Sequence, residues 1–229
     1  MGRSPDRSRG GNWPSAALLL LYAVPFSFAY NNLATGTGAL ILFGAVQATM
    51  LIAALVSGER PRLIQWLGLA TAAIGLLYLL LPGLGAPEPV GSVLMAVAGV
   101  AWGFYSLRGR GSAHPLADTA GNFMRTVPMV AIVSLVSLSD FHVTPTGAML
   151  ALASGAIASG VGYAIWYAAL AGLTATLAAT VQLSVPIIAA AGGVVFMAED
   201  VTLRLVLSSV LILGGVGMAS LFDKSSMGL

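Results

Sequence analysis

The chain has 229 residues, of which 58% are hydrophobic and only 8% charged, with no cysteine and a formal net charge of +2. A soluble domain carries about 25% charged residues, so this chain cannot cover its own surface in water, and a mean hydropathy of +0.92 points to the lipid bilayer. The missing cysteines exclude disulfides and thiolate metal sites. The basic balance does not mark a nucleic-acid binder, because the Arg residues sit between apolar stretches, where they orient a protein in a membrane.

In chain order, a basic tail leads into eight apolar stretches long enough, or nearly so, to cross a ~30 Å hydrocarbon core. They are Ala16–Tyr30, Ala34–Val56, Leu63–Leu81, Gly91–Leu107, Asn122–Leu138, Ala148–Tyr167, Thr174–Met197 and Leu203–Phe222. Pro and Gly punctuate the connections, as in Gly58-Glu59-Arg60-Pro61 and in the loop between Leu81 and Pro87. Backbone groups find no water in the bilayer, so the spans are expected to be helices, and none shows the alternation of a barrel strand. The fold class is therefore all-α, a polytopic transmembrane bundle of eight spans. The basic leader Met1–Trp13 before an apolar run also has the outline of a signal peptide.

The charges test this topology. With the N-terminus in the cytoplasm, Arg3, Arg7, Arg9, Arg60, Arg62, Arg108, Arg110, Arg125 and Lys224 fall on the cytoplasmic side, and Arg204 alone falls outside. That asymmetry supports eight spans with both ends cytoplasmic.

The chain also repeats itself. A slide of 137 carries Tyr30, Leu33, Ala34, Thr37 and Leu40 onto Tyr167, Leu170, Ala171, Thr174 and Leu177; a slide of 140 carries Glu59, Leu63, Leu67 and Gly75 onto Glu199, Leu203, Leu207 and Gly215. Spans one to three thus match spans six to eight, and the match of Ala16–Tyr30 to Gly155–Tyr167 argues against a cleaved leader. Five spans separate each pair, an odd number, so the copies run in opposite directions through the membrane. Such an inverted repeat is a mark of transporters. Here it is incomplete, three spans against five.

Gly58-Glu59-Arg60-Pro61 followed by Gln65-Trp66-Leu67-Gly68, then Ala101-Trp102-Gly103-Phe104-Tyr105-Ser106, and Val185-Pro186 before Ala198-Glu199-Asp200 together resemble the drug/metabolite transporter (DMT) superfamily, specifically its EamA-type carriers of bacterial inner membranes. The resemblance covers about residues 15–222. It implies two five-helix EamA repeats around a central cavity, with both ends cytoplasmic. On that pattern residues 1–14 are a cytoplasmic tail, 15–82 a partial first repeat of three helices, 90–222 the second repeat of five, and 223–229 a second tail. The first two of the family's ten helices have no counterpart here, and in the family the first helix helps to line the cavity.

No Asp, Glu, Lys or Arg lies at mid-depth in any span. A substrate site must then rely on uncharged polar and aromatic groups. Gln47 and Gln182 lie near the middle of the mated spans two and seven. An amide in hydrocarbon needs partners; facing a cavity it would bind a substrate's amino, carboxyl or amide groups, and facing a neighbour it would bond a helix. Pro186, one turn after Gln182, removes a backbone donor and would either expose a carbonyl or form only a packed kink. Aromatics gather on spans four and six. Trp102 and Tyr163 are the deeper members and the expected wall residues; Tyr105, Trp166 and Tyr167 fit the ordinary interfacial belt as well. Tyr30, Asn31 and Asn32 end span one, at the outer mouth or as a plain helix cap. Glu59, Glu199 and Asp200 read as solvated residues at helix ends.

Asn122 and Arg125 open span five, where Arg125 snorkels and fixes orientation. Gly155, Ser159 and Gly160 suit close helix packing on span six. Thr174, Thr176, Thr180 and Ser184 are expected to bond along their own helix or to a neighbour. His114 and His142 fall in opposite loops and cannot share a metal. These features favour a solute carrier whose partners are a small-molecule solute and the lipid bilayer, with no cofactor and no nucleic acid. An intramembrane enzyme lacks a nucleophile–base pair or metal cluster at depth. An accessory membrane protein without transport of its own is the remaining alternative, and a homodimer is one way to close the open side of the bundle.

Overall fold

The computed structural model describes residues 10–81, 88–138, 143–198 and 200–221. Arg3, Arg7, Arg9, His142, Glu199, Lys224 and the 82–87 loop therefore lie outside the described residues. The described residues form eight helical spans and no strand. These are α1 (Trp13–Ala29), α2 (Thr35–Val56), α3 (Leu63–Leu80), α4 (Pro89–Gly109), α5 (Pro115–Val136), α6 (Pro145–Leu170), α7 in two halves (Ala175–Gln182 and Val185–Met197) and α8 (Leu203–Leu221). Seven are long and apolar enough to cross a membrane, and α1 is a shorter apolar helix of 17 residues. The protein is a polytopic helical bundle.

Three helices begin before their apolar stretches do. Helices α4, α5 and α6 start at Pro89, Pro115 and Pro145 rather than at Gly91, Asn122 and Ala148. Proline suits the first helical turn, whose N–H groups have no helical acceptor. Reading apolarity alone misses this polar turn, which in α5 holds Asp118. Side chains complete the caps: Glu88 accepts from the N–H groups of Val90 and Gly91, and Thr144 from Gly147.

The contacts fix the direction of each helix. Asn12 meets Asn122 and Ala16 meets Thr126, so α1 and α5 run parallel. Arg108 meets Ser15 while Gly91 lies against Leu33, so α1 and α4 run antiparallel. Helix α4 runs parallel to α6 through Trp102–Tyr163 and Tyr105–Tyr167. Odd-numbered separations give antiparallel pairs and even ones parallel pairs, as sequential crossing requires. One end of the bundle accordingly collects Gly10–Asn12, Glu59, Arg108, Arg110 and Arg125; Arg204 sits at the other end, its guanidinium 5.5 Å from the centre of the Tyr78 ring.

The tightest seam joins α3 to α8. A Cβ placed on Gly68 would lie 2.5 Å from the Gly215 carbonyl oxygen, and one on Gly215 would lie 2.7 Å from the Ala72 nitrogen. Only glycine allows so close a backbone approach. Gly75 presses on Ile212 as Gly215 presses on Ala72. The slide of 140 exchanges these two contacts, since it carries Gly75 onto Gly215 and Ala72 onto Ile212.

Helix α6 behaves differently. Its first part, Pro145–Val161, buries no residue, and Ala153–Val161 is π-helical. The expectation that Gly155 and Gly160 admit a neighbouring helix is not met: nothing lies within 4 Å of a Cβ on Gly155, and only the Gly155 carbonyl, at 3.6 Å, faces one on Gly160. The close-packing glycines are elsewhere, on α3, α4 and α8.

Candidate substrate site at the α2–α7 contact

Two features meet inside the bundle, a column of aromatic rings and a broken helix. The column begins on α1, where Tyr22, Phe26 and Tyr30 recur every fourth residue and so share one face. Phe26 meets Tyr30 edge-on at 4.9 Å, and Tyr22 carries the column across to Trp102 of α4 at 4.9 Å. Trp102 lies 4.8 Å from Tyr163 of α6, and Tyr105 lies 4.9 Å from Tyr167. The predicted pair Trp102 and Tyr163 is thus in contact, each ring half-buried. Tyr105 is fully buried, and the Trp166 indole N–H donates to Ser106 at 3.0 Å, so these two belong to the packed interior. Phe123 of α5 adds a ring 5.6 Å from Tyr163. Tyr22 and Phe26 are not among the residues expected from the sequence, although their four-residue spacing on α1 carries the signal.

At the outer end, the Tyr30 ring lies over Gly38 of α2, where a Cβ would come within 2.5 Å of it. Asn31 is exposed, as is Asn32, and their N–H groups close the helix turn onto Phe28 and Ala29.

The other feature is α7. Its first half stops at Gln182, and its second begins at Val185. Pro186 causes the break, because it has no N–H to give to the Gln182 carbonyl. Leu183 and Ser184 fall back on three-residue bonds to Thr180 and Val181, and the Ile187 N–H turns to Ser184 at 3.0 Å rather than to Leu183. Beside this break, Gln47 of α2 donates its amide to the Ala179 carbonyl at 2.6 Å. Ala179 and Gln182 are three residues apart, hence on one face of the helix. The two glutamines expected from the sequence are therefore brought within one helical turn of each other. Each keeps a buried side-chain oxygen with no partner, and Gln182 is only 6% exposed.

Glu59 needs correction. It does not sit free at a helix end but caps the first half of α7. Its carboxylate accepts the N–H groups of Ala175 (2.8 Å) and Thr176 (3.1 Å) and the Thr176 hydroxyl (2.9 Å), and pairs with Arg110 at 3.4 Å. Burial alone would raise its pKa, but these hydrogen bonds and the Arg110 charge hold it below the ordinary carboxylate value. The signal missed in the sequence is reach: the loop before α3 borders the loop before α7 only once the bundle is assembled. Arg125 is also more than an orienting charge, since it donates to the carbonyls of Gly10 and Gly121, both at 2.8 Å. Thr180 and Ser184 bond back along α7, as expected.

A bundle of apolar helices in alternating directions, with an interrupted helix and paired amides inside, is the build of an integral membrane transporter. The chain belongs to the EamA-like transporter family, whose sequence model matches residues 89–221. It is 48% identical over 216 residues to uncharacterized protein PA1977 of Pseudomonas aeruginosa, covering 94% of this chain and 75% of that protein. A solved crystal structure shares the fold, with a TM-score of 0.78 at 20% identity over 93% of this chain and 77% of the other.

Proposed function

We propose that this protein is a solute carrier of the bacterial inner membrane that moves a small amino-acid-like or drug-like metabolite by alternating access. The observation that carries this reading is the α2–α7 contact, where two buried amides lie beside a helix break and the aromatic column packs on Ala178 and Ala179 of the same half-helix. Gln47 and Gln182 supply the polar contacts and Trp102 and Tyr163 the apolar wall. Tyr30 and Asn31 stand at the outer mouth. The Arg-rich end, with Glu59, faces the cytoplasm; the bias of Arg toward that end supports this orientation. Interrupted helices at depth let a carrier bend around its site without leaving backbone groups in lipid.

The test is flux in proteoliposomes against a panel of labelled amino acids and small aromatic solutes. A carrier shows saturable uptake that Gln182→Leu removes at unchanged protein abundance. Absence of uptake across the panel, with the protein folded, would favour an accessory role.

A further inference from the structure

We propose that the break in α7 is a binding site for a single positive charge, either a monovalent inorganic cation or the ammonium head of an organic solute. The inference rests on the α2–α7 site described above and names what that site accepts.

The argument starts from the sign of the groups present. Gln47 cannot turn its amide around, because a flipped amide would set its oxygen against the Ala179 carbonyl, 2.6 Å from the present nitrogen. The free end of Gln47 is therefore its oxygen, which is buried and unpartnered. The Gln182 side-chain oxygen is likewise buried and unpartnered. The Gln182 main-chain carbonyl faces Pro186, which has no N–H, and the Leu183 carbonyl has lost the Ile187 N–H to Ser184. Two buried side-chain oxygens, one on each helix, and two main-chain carbonyls at the break thus lack their usual donors. The carbonyls lie at the C-terminal end of a helical half, where the peptide dipoles leave partial negative charge. Unwound carbonyls and half-helix ends of this kind coordinate monovalent cations in carriers of other folds.

The complement of such a site is a group that only donates or only attracts oxygen. An anion or a carbonyl would meet like charge. A divalent ion is disfavoured, because it calls for carboxylates; among the described residues no three His, Cys, Asp or Glu side chains gather. A singly charged cation suits neutral oxygens of this kind and needs no carboxylate. Should the charge belong to an organic solute, Trp102 and Tyr163 offer its body aromatic faces, which also attract cations.

The experiment is thermal unfolding of the full chain in detergent, which requires no transport. Sodium, potassium, methylammonium and tetramethylammonium chlorides are titrated at constant ionic strength against N-methylglucamine chloride. The expected result is a saturable rise in Tm of a few degrees with at least one cation. Gln182→Leu is expected to abolish it, and Gln182→Glu to strengthen it at least tenfold in apparent affinity. A response to sodium or potassium assigns an inorganic ion; a response to the ammonium salts alone assigns an organic head group. Equal Tm in all salts, or a saturable rise that survives both Gln182→Leu and Gln47→Leu, overturns the proposal. Cation binding without flux would instead count against the carrier reading, and flux without cation binding against this site.

Discussion

Two of the pairs of repeat-mated helices in this bundle, α3 with α8 and α2 with α7, are built in opposite ways. Helices α3 and α8 cross backbone to backbone through Gly68, Gly75 and Gly215, with Arg204 over the Tyr78 ring at one end. Helices α2 and α7 share apolar packing, Val46 and Met50 with Ala178 and Ala179 and Phe43 with Leu183 and Ile187, but also an amide-to-carbonyl bond beside a break and unpaired side-chain oxygens. Within the pair, α2 is an unbroken helix, and at the position that the slide of 137 carries onto Pro186 it has Thr49, whose hydroxyl bonds back to Ala45. A glycine seam has one good packing and resists displacement. A contact of side chains around a proline break, with no backbone-to-backbone seam, has alternatives closer in energy. The first pair reads as the fixed axis of the molecule and the second as its working gap.

The largest effect should come from breaking the axis. Gly215→Val puts branched carbons against the Ala72 nitrogen and the Gly68 carbonyl, and neither backbone can yield without moving a whole helix. Overpacking of this kind costs about 3 kcal/mol. Denaturant titration in detergent should show that loss, while Gly214→Val, with nothing within 4 Å of its Cβ, should change little.

Closing the gap should act on movement rather than on stability. Pro186→Ala restores an N–H opposite the Gln182 carbonyl and lets the two halves of α7 join. The variant should be at least as stable as the parent, and its flux in proteoliposomes should fall about tenfold, equivalent to ~1.4 kcal/mol in the barrier. Loss of stability with unchanged flux would make the proline a packed kink and remove the contrast between the two pairs.

The Glu59 cap tests how the first half of α7 is held. Its carboxyl is held below its ordinary pKa in the folded protein, so its contribution is present above the unfolded value of about 4.3. That contribution is lost as pH falls through the lower, folded value. Glu59→Gln should cost about 1 kcal/mol at neutral pH, the usual scale of a helix cap. The parent should lose stability relative to the variant as pH drops below about 4.3. Parallel pH profiles for the two proteins would show that the cap contributes nothing.

Much of this was legible in the sequence because a membrane imposes simple rules. Span number and alternation follow from apolar length and the bias of Arg, and Trp102, Tyr163, Gln47 and Gln182 stood out as polar or aromatic groups at depth. The role of Pro186 followed from its missing N–H. What could not be read were the long-range partners. Glu59 joins Ala175, Thr176 and Arg110 from two other connections, and Arg125 reaches Gly10 across the bundle end. The small residues misled for the same reason: Gly155 and Gly68 look alike in sequence, yet only Gly68 has a helix against it.

The smallest effect, and the sharpest on the gap itself, belongs to Gln47→Leu. The substitution removes the bond to Ala179, a kind of contact worth about 0.6 kcal/mol in membrane bundles. It also removes a buried oxygen that has no partner, and leaving such a group unsatisfied costs more than removing both partners together. Against that relief, the buried Ala179 carbonyl loses the Gln47 donor, and the Leu183 N–H that would replace it goes to Thr180. These terms nearly cancel, so the Tm should move by no more than a degree or two, in either direction. Flux should nonetheless fall, because α2 loses its hold on the half-helix that carries Gln182. A large drop in Tm would mean that the α2–α7 contact is a structural seam like α3–α8, and that the working gap lies elsewhere in the bundle.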